Sequence, residues 1–322
     1  MEKKIGSVVF ATDQGLGYLA RSFYDHGLIN KVYIQPHSSR PTHKDWYRPE
    51  DIVARPEDLL ECDALLFFET PFHWKLIPQA RDKGIPTTLI PMFECTPYPL
   101  PYEPDNIIVP SGLDLKYYDR GVLIPIPVDV PWRLRKKAKI FVHNAGNLGL
   151  GGRNGTDEVI KAMEYVETPV QLIVNSQVPI TAPYKKRISV QAGAGRIKIF
   201  EGQVQTNELF TGDVFLFPEK FNGLSLPIQE AFASGMMVMC GDRFPMNSWL
   251  PRLPLIPVER YKKERIAVEF DSAQYNPKTI AKTIDEWYGK DISDFSIQGK
   301  EWAESVSWSK LTPAYLKVIY GT

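Results

Sequence analysis

Apolar runs of strand length alternate with helix-length stretches along the whole chain. That alternation gives parallel strands covered by helices on both faces, so the pattern predicts an α/β protein. In the first half the predicted strands cover residues 6–12, 31–35, 64–68, 87–91, 107–110 and 121–126, with helices over 16–25 and 75–83. The segment Ile126-Pro-Val-Asp-Val-Pro-Trp132 is punctuated by proline and runs into a charged stretch, which marks a crossing between domains near residue 130. The pattern then restarts, with predicted strands over 139–143, 170–175, 196–200, 214–218 and 236–240. Three aromatic-rich helical stretches follow, at 277–288, 294–306 and 308–320, and the last is expected to pack back on the first domain.

The 322-residue length agrees with two domains, 1–130 and 131–322, each of a size that one core can organise. A hydrophobic fraction of 43% with 24% charged residues is ordinary for a folded globular chain and excludes a disordered or collagen-like one. The longest apolar runs, 64–68 and 214–218, fall far short of the roughly 20 residues of a membrane helix. The opening Met-Glu-Lys-Lys leads straight into a strand-like run, without the apolar stretch of a secretory signal, and predicts a cytoplasmic protein. Cys62, Cys95 and Cys240 have neither zinc-type spacing nor a disulfide pattern and read as reduced thiols. Net charge is zero, so the basic clusters at 133–139, 185–187 and 260–265 read as solvated faces.

Three loops carry candidate chemistry. Thr12-Asp-Gln-Gly-Leu-Gly-Tyr18 places Gly15 and Gly17 before a helix, where glycine admits a close ligand and the helix N-terminus offers N–H groups; a plain tight turn fits the same residues. Asn144-Ala-Gly-Asn-Leu-Gly-Leu-Gly-Gly-Arg-Asn-Gly155 precedes a second helix. Its amides, with Asn147, Gly152 and Arg153, suit a diphosphate, and a surface loop is the alternative. The third segment runs from Phe215 to Gly235, Phe-Leu-Phe-Pro-Glu-Lys-Phe-Asn-Gly-Leu-Ser-Leu-Pro-Ile-Gln-Glu-Ala-Phe-Ala-Ser-Gly. A strand ends there in a loop containing Gly223, and a helix predicted from near Pro227 carries Glu230 in its first turn. An acid so placed accepts hydrogen bonds from ribose hydroxyls while amides near Gly223 and Leu224 face a phosphate; it would equally serve the helix dipole.

This third segment resembles the donor-site signature of retaining GT-B enzymes of glycosyltransferase family 4 (glycosyl transferases group 1): Glu, seven residues, Glu, with Gly-Leu and Pro between. Other segments match the family in the same order. Arg153-Asn-Gly-Thr-Asp-Glu-Val-Ile-Lys-Ala162 resembles its Arg-Lys-Gly loop and helix, and Ile199-Phe-Glu-Gly-Gln-Val204 its segment beside the nucleotide base. Ile107-Ile-Val-Pro-Ser111, Ile126-Pro-Val-Asp129 and Ser305-Val-Ser-Trp308 match further along. The resemblance covers most of the chain and is strongest from about residue 105. It implies a GT-B architecture, two Rossmann-like domains with parallel sheets facing across a cleft, the first binding the acceptor and the second a nucleotide-sugar. The implied donor set is Gly15, Gly17, Asn147, Gly152, Arg153, Asn154, Gln203, Val204, Glu219, Asn222, Gly223, Leu224, Ser225 and Glu230. Two positions depart from the family pattern. Asn222 stands where the first glutamate is usual, with Glu219 as a nearby substitute, and Asn154 stands where the loop lysine is usual. There is no Asp-x-Asp motif. The expected reaction is therefore metal-independent and needs no cofactor beyond a co-substrate, UDP- or GDP-sugar.

In the first domain Phe68-Glu-Thr-Pro-Phe-His-Trp74 follows a strand and is expected to face the cleft. The family often places a histidine or acid from this region near the reacting sugar, which makes Glu69 and His73 catalytic candidates, with Glu94 as a third and Arg153 stabilising the leaving diphosphate. Two other readings stay open: a sugar-nucleotide epimerase-like enzyme, and a non-catalytic nucleotide-sugar-binding module. The expected acceptor is a saccharide or lipid-linked glycan, or a hydroxymethylated base in viral DNA. The last is suggested by the lean first domain and the 246–251 segment, and would place a virus-encoded enzyme in the host cytoplasm. The neutral charge counts against tight DNA binding.

Overall fold

Ala64-Leu-Leu-Phe-Phe is an unbroken apolar run because it forms the middle of a parallel sheet, where helices cover a strand on both faces. The computed structural model describes residues 3–147, 152–179, 195–202, 206–250 and 254–321. Two compact units emerge, one of Met1–Pro127 with Arg265–Glu269 and Trp308–Thr322, the other of Val128–Glu264 with Phe270–Ser307.

The first unit contains β1 (Ile5–Val9), α1 (Gly15–Asp25), β2 (Lys31–Ile34), β3 (Ala64–Glu69), α2 (Leu76–Asp82), β4 (Thr87–Pro91), β5 (Asn106–Val109) and β6 (Val122–Leu123). The sheet order is β2-β1-β3-β4-β5-β6, and every pairing is parallel. The strand predicted over 121–126 shrinks to β6, an exposed edge whose continuation meets Pro125 and Pro127, residues with no N–H to donate. The last helix, Trp308–Tyr320, belongs to this unit. Trp308 and Tyr315 meet Phe23 of α1 edge to face at 5.0 and 5.2 Å, and the Tyr315 hydroxyl donates to the Pro125 carbonyl at 3.0 Å.

The second unit contains β7 (Ile140–Gly146), α3 (Thr156–Ala162), β8 (Gln171–Ser176), β9 (Ile197–Glu201), α4 (Thr206–Leu209), β10 (Val214–Phe217), α5 (Leu226–Ala233), β11 (Met237–Gly241), α6 (Met246–Trp249), β12 (Leu255–Ile256), α7 (Pro277–Trp287) and α8 (Ser293–Ser305). Its parallel sheet runs β12-β11-β10-β7-β8-β9, which read from the other edge is the doubly wound order of a dinucleotide-type fold. A two-stranded sheet of β13 (Arg260–Arg265) and β14 (Glu269–Gln274) stands apart from it. β13 escapes the hydrophobic pattern because Arg-Tyr-Lys-Lys-Glu-Arg is nearly all charged and almost wholly exposed. Arg135 anchors the start of the unit: buried, it donates to the carbonyls of Arg133, Phe210, Gly212 and Ser234. No helix among the described residues is long and apolar enough to cross a membrane.

Candidate functional site

In the second unit the chain winds outward from β7 to β8 and β9, then returns to β10 on the other side of β7. The loops after β7 and β10 therefore diverge, and an open α/β sheet binds ligands in the crevice this leaves at the strands' carboxyl ends. The two loops touch. Gly155 lies at φ +76°, and a Cβ there would sit 2.4 Å from the Pro218 carbonyl oxygen, so only glycine allows the approach. The Lys220 N–H donates to the Arg153 carbonyl at 2.6 Å. Beneath them His143 is fully buried; its Nδ1 donates to the Leu216 carbonyl and its Nε2 accepts from the Thr156 hydroxyl, each at 2.8 Å. Burial pushes its pKa down to about 4, so the ring is neutral and ties β7, β10 and α3 together.

The loop after β10 is held by a buried polar network. The Glu219 carboxylate accepts from Asn222 Nδ2 at 2.8 Å and from Arg243 Nη2 at 3.3 Å, with Arg153 Nε at 3.9 Å. The Glu219 carbonyl accepts from Arg243 Nε at 2.7 Å and from the Tyr275 hydroxyl at 2.9 Å. Gly241 admits that tyrosine, since a Cβ there would lie 1.8 Å from its hydroxyl oxygen. Asn222 Oδ1 in turn accepts the N–H groups of Leu224 and Ser225 at 2.9 and 3.0 Å. Ser225 precedes α5 in the left-handed region, φ +47°, and its buried hydroxyl has no hydrogen-bond partner among the described residues.

Several sequence expectations change here. Glu219 does not replace the missing first glutamate as a ligand group, because its carboxylate is buried and committed to Asn222 and Arg243. The Leu224 amide does not face a phosphate, because Asn222 occupies it. Asn154 spends its amide nitrogen on the carbonyls of Asn144 and Ala145, which shapes the loop rather than a ligand. Glu230 lies in the second turn of α5, beyond the first turn where the helix dipole acts on a carboxylate. It is half-buried, desolvation pushes its carboxyl up to about 7, and among the described residues nothing donates to it. Asn147, Gly152 and Arg153 flank this crevice from the β7 side, half-buried, and Gly223 is buried in the β10 loop. Gln203 and Val204 lie outside the described residues.

In the first unit the order reverses between β1 and β3. Gly17 is a packing glycine: a Cβ would lie 2.2 Å from the Thr12 carbonyl oxygen, so it seats α1 against the β1 loop instead of meeting a ligand. Gly15 is exposed with open space around it. Glu69 and Phe72 both take left-handed backbone, φ +54° and +52°. His73 Nε2 donates to Gln35 Oε1 at 2.8 Å. Glu94 is fully buried, its carbonyl accepting the Ala267 N–H at 3.0 Å, so it does not meet an acceptor from the surface. Its neighbour Asp114 is equally buried, and burial with the nearby Glu94 charge holds that carboxyl up at about 7. Sequence reasoning missed a second histidine here. His43 Nε2 lies 2.8 Å from Asp13 Oδ2, and the Tyr18 hydroxyl donates to Asp13 Oδ1 at 2.8 Å. The 30-position separation of Asp13 and His43 leaves no local signal. Arg243 and Tyr275 were missed for the same reason, lying 24 and 56 residues from Glu219.

No protein-family model matches the chain, and no curated protein matches it by sequence. Solved structures do match over full length. The lipopolysaccharide outer core galactosyltransferase WaaB, apo form, superposes with a TM-score of 0.64 at 12% identity, covering 99% of each chain. Sucrose-phosphate synthase from Thermosynechococcus elongatus gives 0.62 at 12% identity, and Anabaena HepE in complex with UDP and glucose gives 0.65 at 9%, each covering 100% of both chains. With two doubly wound parallel sheets and these full-length matches, the chain has the GT-B fold of glycosyltransferases.

Proposed function

We propose that the chain is a glycosyltransferase that takes a sugar from UDP- or GDP-sugar and passes it to an acceptor hydroxyl, with retention of configuration and without a metal. Glu230 carries the reading. A half-buried carboxylate with no partner among the described residues, beside the β7–β10 crevice, suits a pair of ribose hydroxyls, whose hydrogen bonds would replace the hydration it lacks. Arg153, partly exposed at the same crevice, supplies positive charge to the diphosphate, and the buried Ser225 hydroxyl at the start of α5 supplies a further donor. As the bond from C1 to the diphosphate oxygen breaks, charge grows on the leaving group. Donors already fixed around it lower the barrier by several kcal/mol. The acceptor oxygen bonds C1 from the face the diphosphate leaves, and the hydroxyl proton passes to the departing diphosphate oxygen.

The complexes solved for similar folds support the donor class: HepE holds UDP and glucose, and a TarM variant holds UDP with α-GlcNAc-glycerol. The test is to incubate the protein with UDP- and GDP-sugars and an acceptor panel, with and without EDTA, and to assign the product anomer by NMR. Acceptor-dependent nucleotide release, unchanged by EDTA and giving the donor's anomeric configuration, is expected. Free sugar and nucleotide released without an acceptor would point instead to an epimerase-like enzyme, and an inverted product would overturn retention. A second reading, donor binding without transfer, draws on the way Glu219, Asn222 and Asn154 are used up inside their own loops.

A further inference from the structure

The basic run at 133–139 lies across the amino ends of strands in the second sheet, the end opposite the β7–β10 crevice. Arg135 reaches the carbonyls of Phe210 and Gly212, just before β10, and of Ser234, before β11. Arg133 Nη2 donates to the Thr211 carbonyl, and the Lys139 N–H donates to the Asp213 carboxylate at 3.1 Å. The Ile292 N–H donates to the Lys136 carbonyl and the Ala138 N–H to the Lys290 carbonyl, each at 3.1 Å. Arg135 and Ala138 are thereby buried, while Trp132, Arg133, Leu134, Lys136, Lys137 and Lys139 stay exposed. Residues 128–139 hold five Lys and Arg against one Asp, a net charge of +4, whereas residues 140–322 hold 20 of each sign. Among the described residues Lys136, Lys137 and Lys139 form no ion pair.

Apolar side chains stand beside this charge. Trp132 is 37% exposed, Leu134 43% and Ile297 of α8 45%. Trp132 Nε1 donates to the Ser296 carbonyl at 2.9 Å and the Arg135 N–H to Ser296 Oγ at 3.0 Å, so each of the three lies within one residue of a group touching Ser296. Gly235 seats the indole, since a Cβ there would lie 2.8 Å from Trp132 Nε1. With its one polar atom already bonded, the ring can leave water without losing a hydrogen bond. Lys300 Nζ lies 5.2 Å from the centre of the same ring.

We infer that this surface docks on an anionic phospholipid bilayer. Lys136, Lys137 and Lys139 meet the headgroup phosphates, while Trp132, Leu134 and Ile297 enter the boundary between headgroups and acyl chains. A nucleic acid would engage the lysines and the indole, but it offers an exposed leucine and isoleucine no apolar phase to enter. The attraction comes from the 133–139 segment and not from α8, which sets Asp294, Glu301 and Glu304 against Lys300, with Glu304 3.9 Å from that lysine. Asp291 faces Lys137 across an isolated bridge, and its carboxylate accepts the Ser293 N–H at 2.9 Å. Docking at the amino ends of the strands leaves the crevice at their carboxyl ends clear, and it does not depend on what the crevice binds.

The test is co-sedimentation of the full chain with vesicles of phosphatidylcholine alone and of an equimolar mixture with phosphatidylglycerol, beside titration with a DNA duplex. Wild type is compared with Lys136→Gln/Lys137→Gln, with the charge-keeping Lys136→Arg/Lys137→Arg, and with Leu134→Ser/Ile297→Ser. All these positions are exposed, and thermal unfolding checks that each variant folds as wild type does. Wild type should bind the mixed vesicles and not phosphatidylcholine, with affinity falling as salt rises. The glutamine pair should bind about thirtyfold more weakly, the arginine pair as wild type, and the serine pair about tenfold more weakly. No binding of wild type to the mixed vesicles, or equal binding by the glutamine pair, would overturn the inference. Unchanged binding by the serine pair, or affinity for the duplex matching that for the vesicles, would show a plain polyanion surface and overturn the assignment to lipid.

Discussion

Arg243 holds the donor loop from below, and its removal gives a loss that can be worked out from the contacts. In Arg243→Met, among the described residues, the Glu219 carbonyl keeps only the Tyr275 hydroxyl, and the Glu219 carboxylate, 2% exposed, keeps only Asn222 with Arg153 Nε at 3.9 Å. Breaking one partner of a buried pair costs about 3–5 kcal/mol, because the remaining charge is stranded in a medium that cannot solvate it. Methionine refills much of the volume and Arg153 is close enough to shift toward Glu219, so a loss of about 3 kcal/mol is expected. For a domain of this size each 1 kcal/mol moves Tm by about 2–4 °C, which places the drop near 6–12 °C. The assay is thermal unfolding by circular dichroism of wild type, Arg243→Met, Glu219→Gln and the double variant. Removing the stranded charge should recover at least half the loss, a coupling above about 1 kcal/mol. The nucleotide-dependent rise in Tm should also weaken in Arg243→Met, since the loop it anchors leads into Ser225 and α5. A loss under about 1 kcal/mol, or substitutions additive to within about 0.5 kcal/mol, would refute the claim that Arg243 and Glu219 form one strut.

Other outcomes follow from single residues. Ser225→Gly removes a Cβ from φ +47° and a buried unpartnered hydroxyl, so it should raise stability by about 1 kcal/mol in chemical denaturation and weaken nucleotide binding if that hydroxyl contacts the diphosphate; a destabilised variant would show the left-handed assignment wrong. Asp114 holds its proton up to about 7 when folded but releases it near 4 when unfolded, so its contribution is fully present below about pH 4 and is lost as pH rises to 7, with a cost of about 4 kcal/mol above that. Asp114→Asn should therefore melt higher than wild type at pH 8, with the difference shrinking toward pH 4; a constant difference across that range would contradict the buried-carboxyl account. Ribose hydroxyls favour the ionised form of Glu230, so nucleotide affinity should fall as pH drops below about 7, and titrations at pH 5.5 and 8 in wild type and Glu230→Gln should show this dependence only in wild type.

The two sheets were readable because their central strands, such as Phe215-Leu-Phe in β10, are apolar on both faces and return at regular intervals. Arg153 and Glu230, proposed as donor ligands, follow strands of that pattern in fixed order. Local geometry was not readable. Nothing in a serine announces φ +47°, and nothing in Asn222 says whether its amide serves a ligand or its own turn, because that depends on where the next two N–H groups point. Glu230 moved from the first turn of its helix to the second because α5 begins at Leu226, one residue before Pro227. The buried strut was hidden by sequence distance: Arg243 and Tyr275 reach Glu219 only after β11 and β14 are laid in place. Glu94 was chosen as an acid near a loop, and only the folded packing shows that it lies beneath the surface.

A nucleotide-sugar is proposed to bind beside Glu230 at the β7–β10 crevice. Isothermal titration of UDP, GDP and their glucose, galactose and N-acetylglucosamine conjugates into wild type and Glu230→Ala tests it directly. Binding of one nucleotide series to wild type, weakened at least tenfold in Glu230→Ala while that variant unfolds as wild type does, is the predicted result. No heat with any of them at millimolar concentration, or equal affinity in the variant, would contradict it.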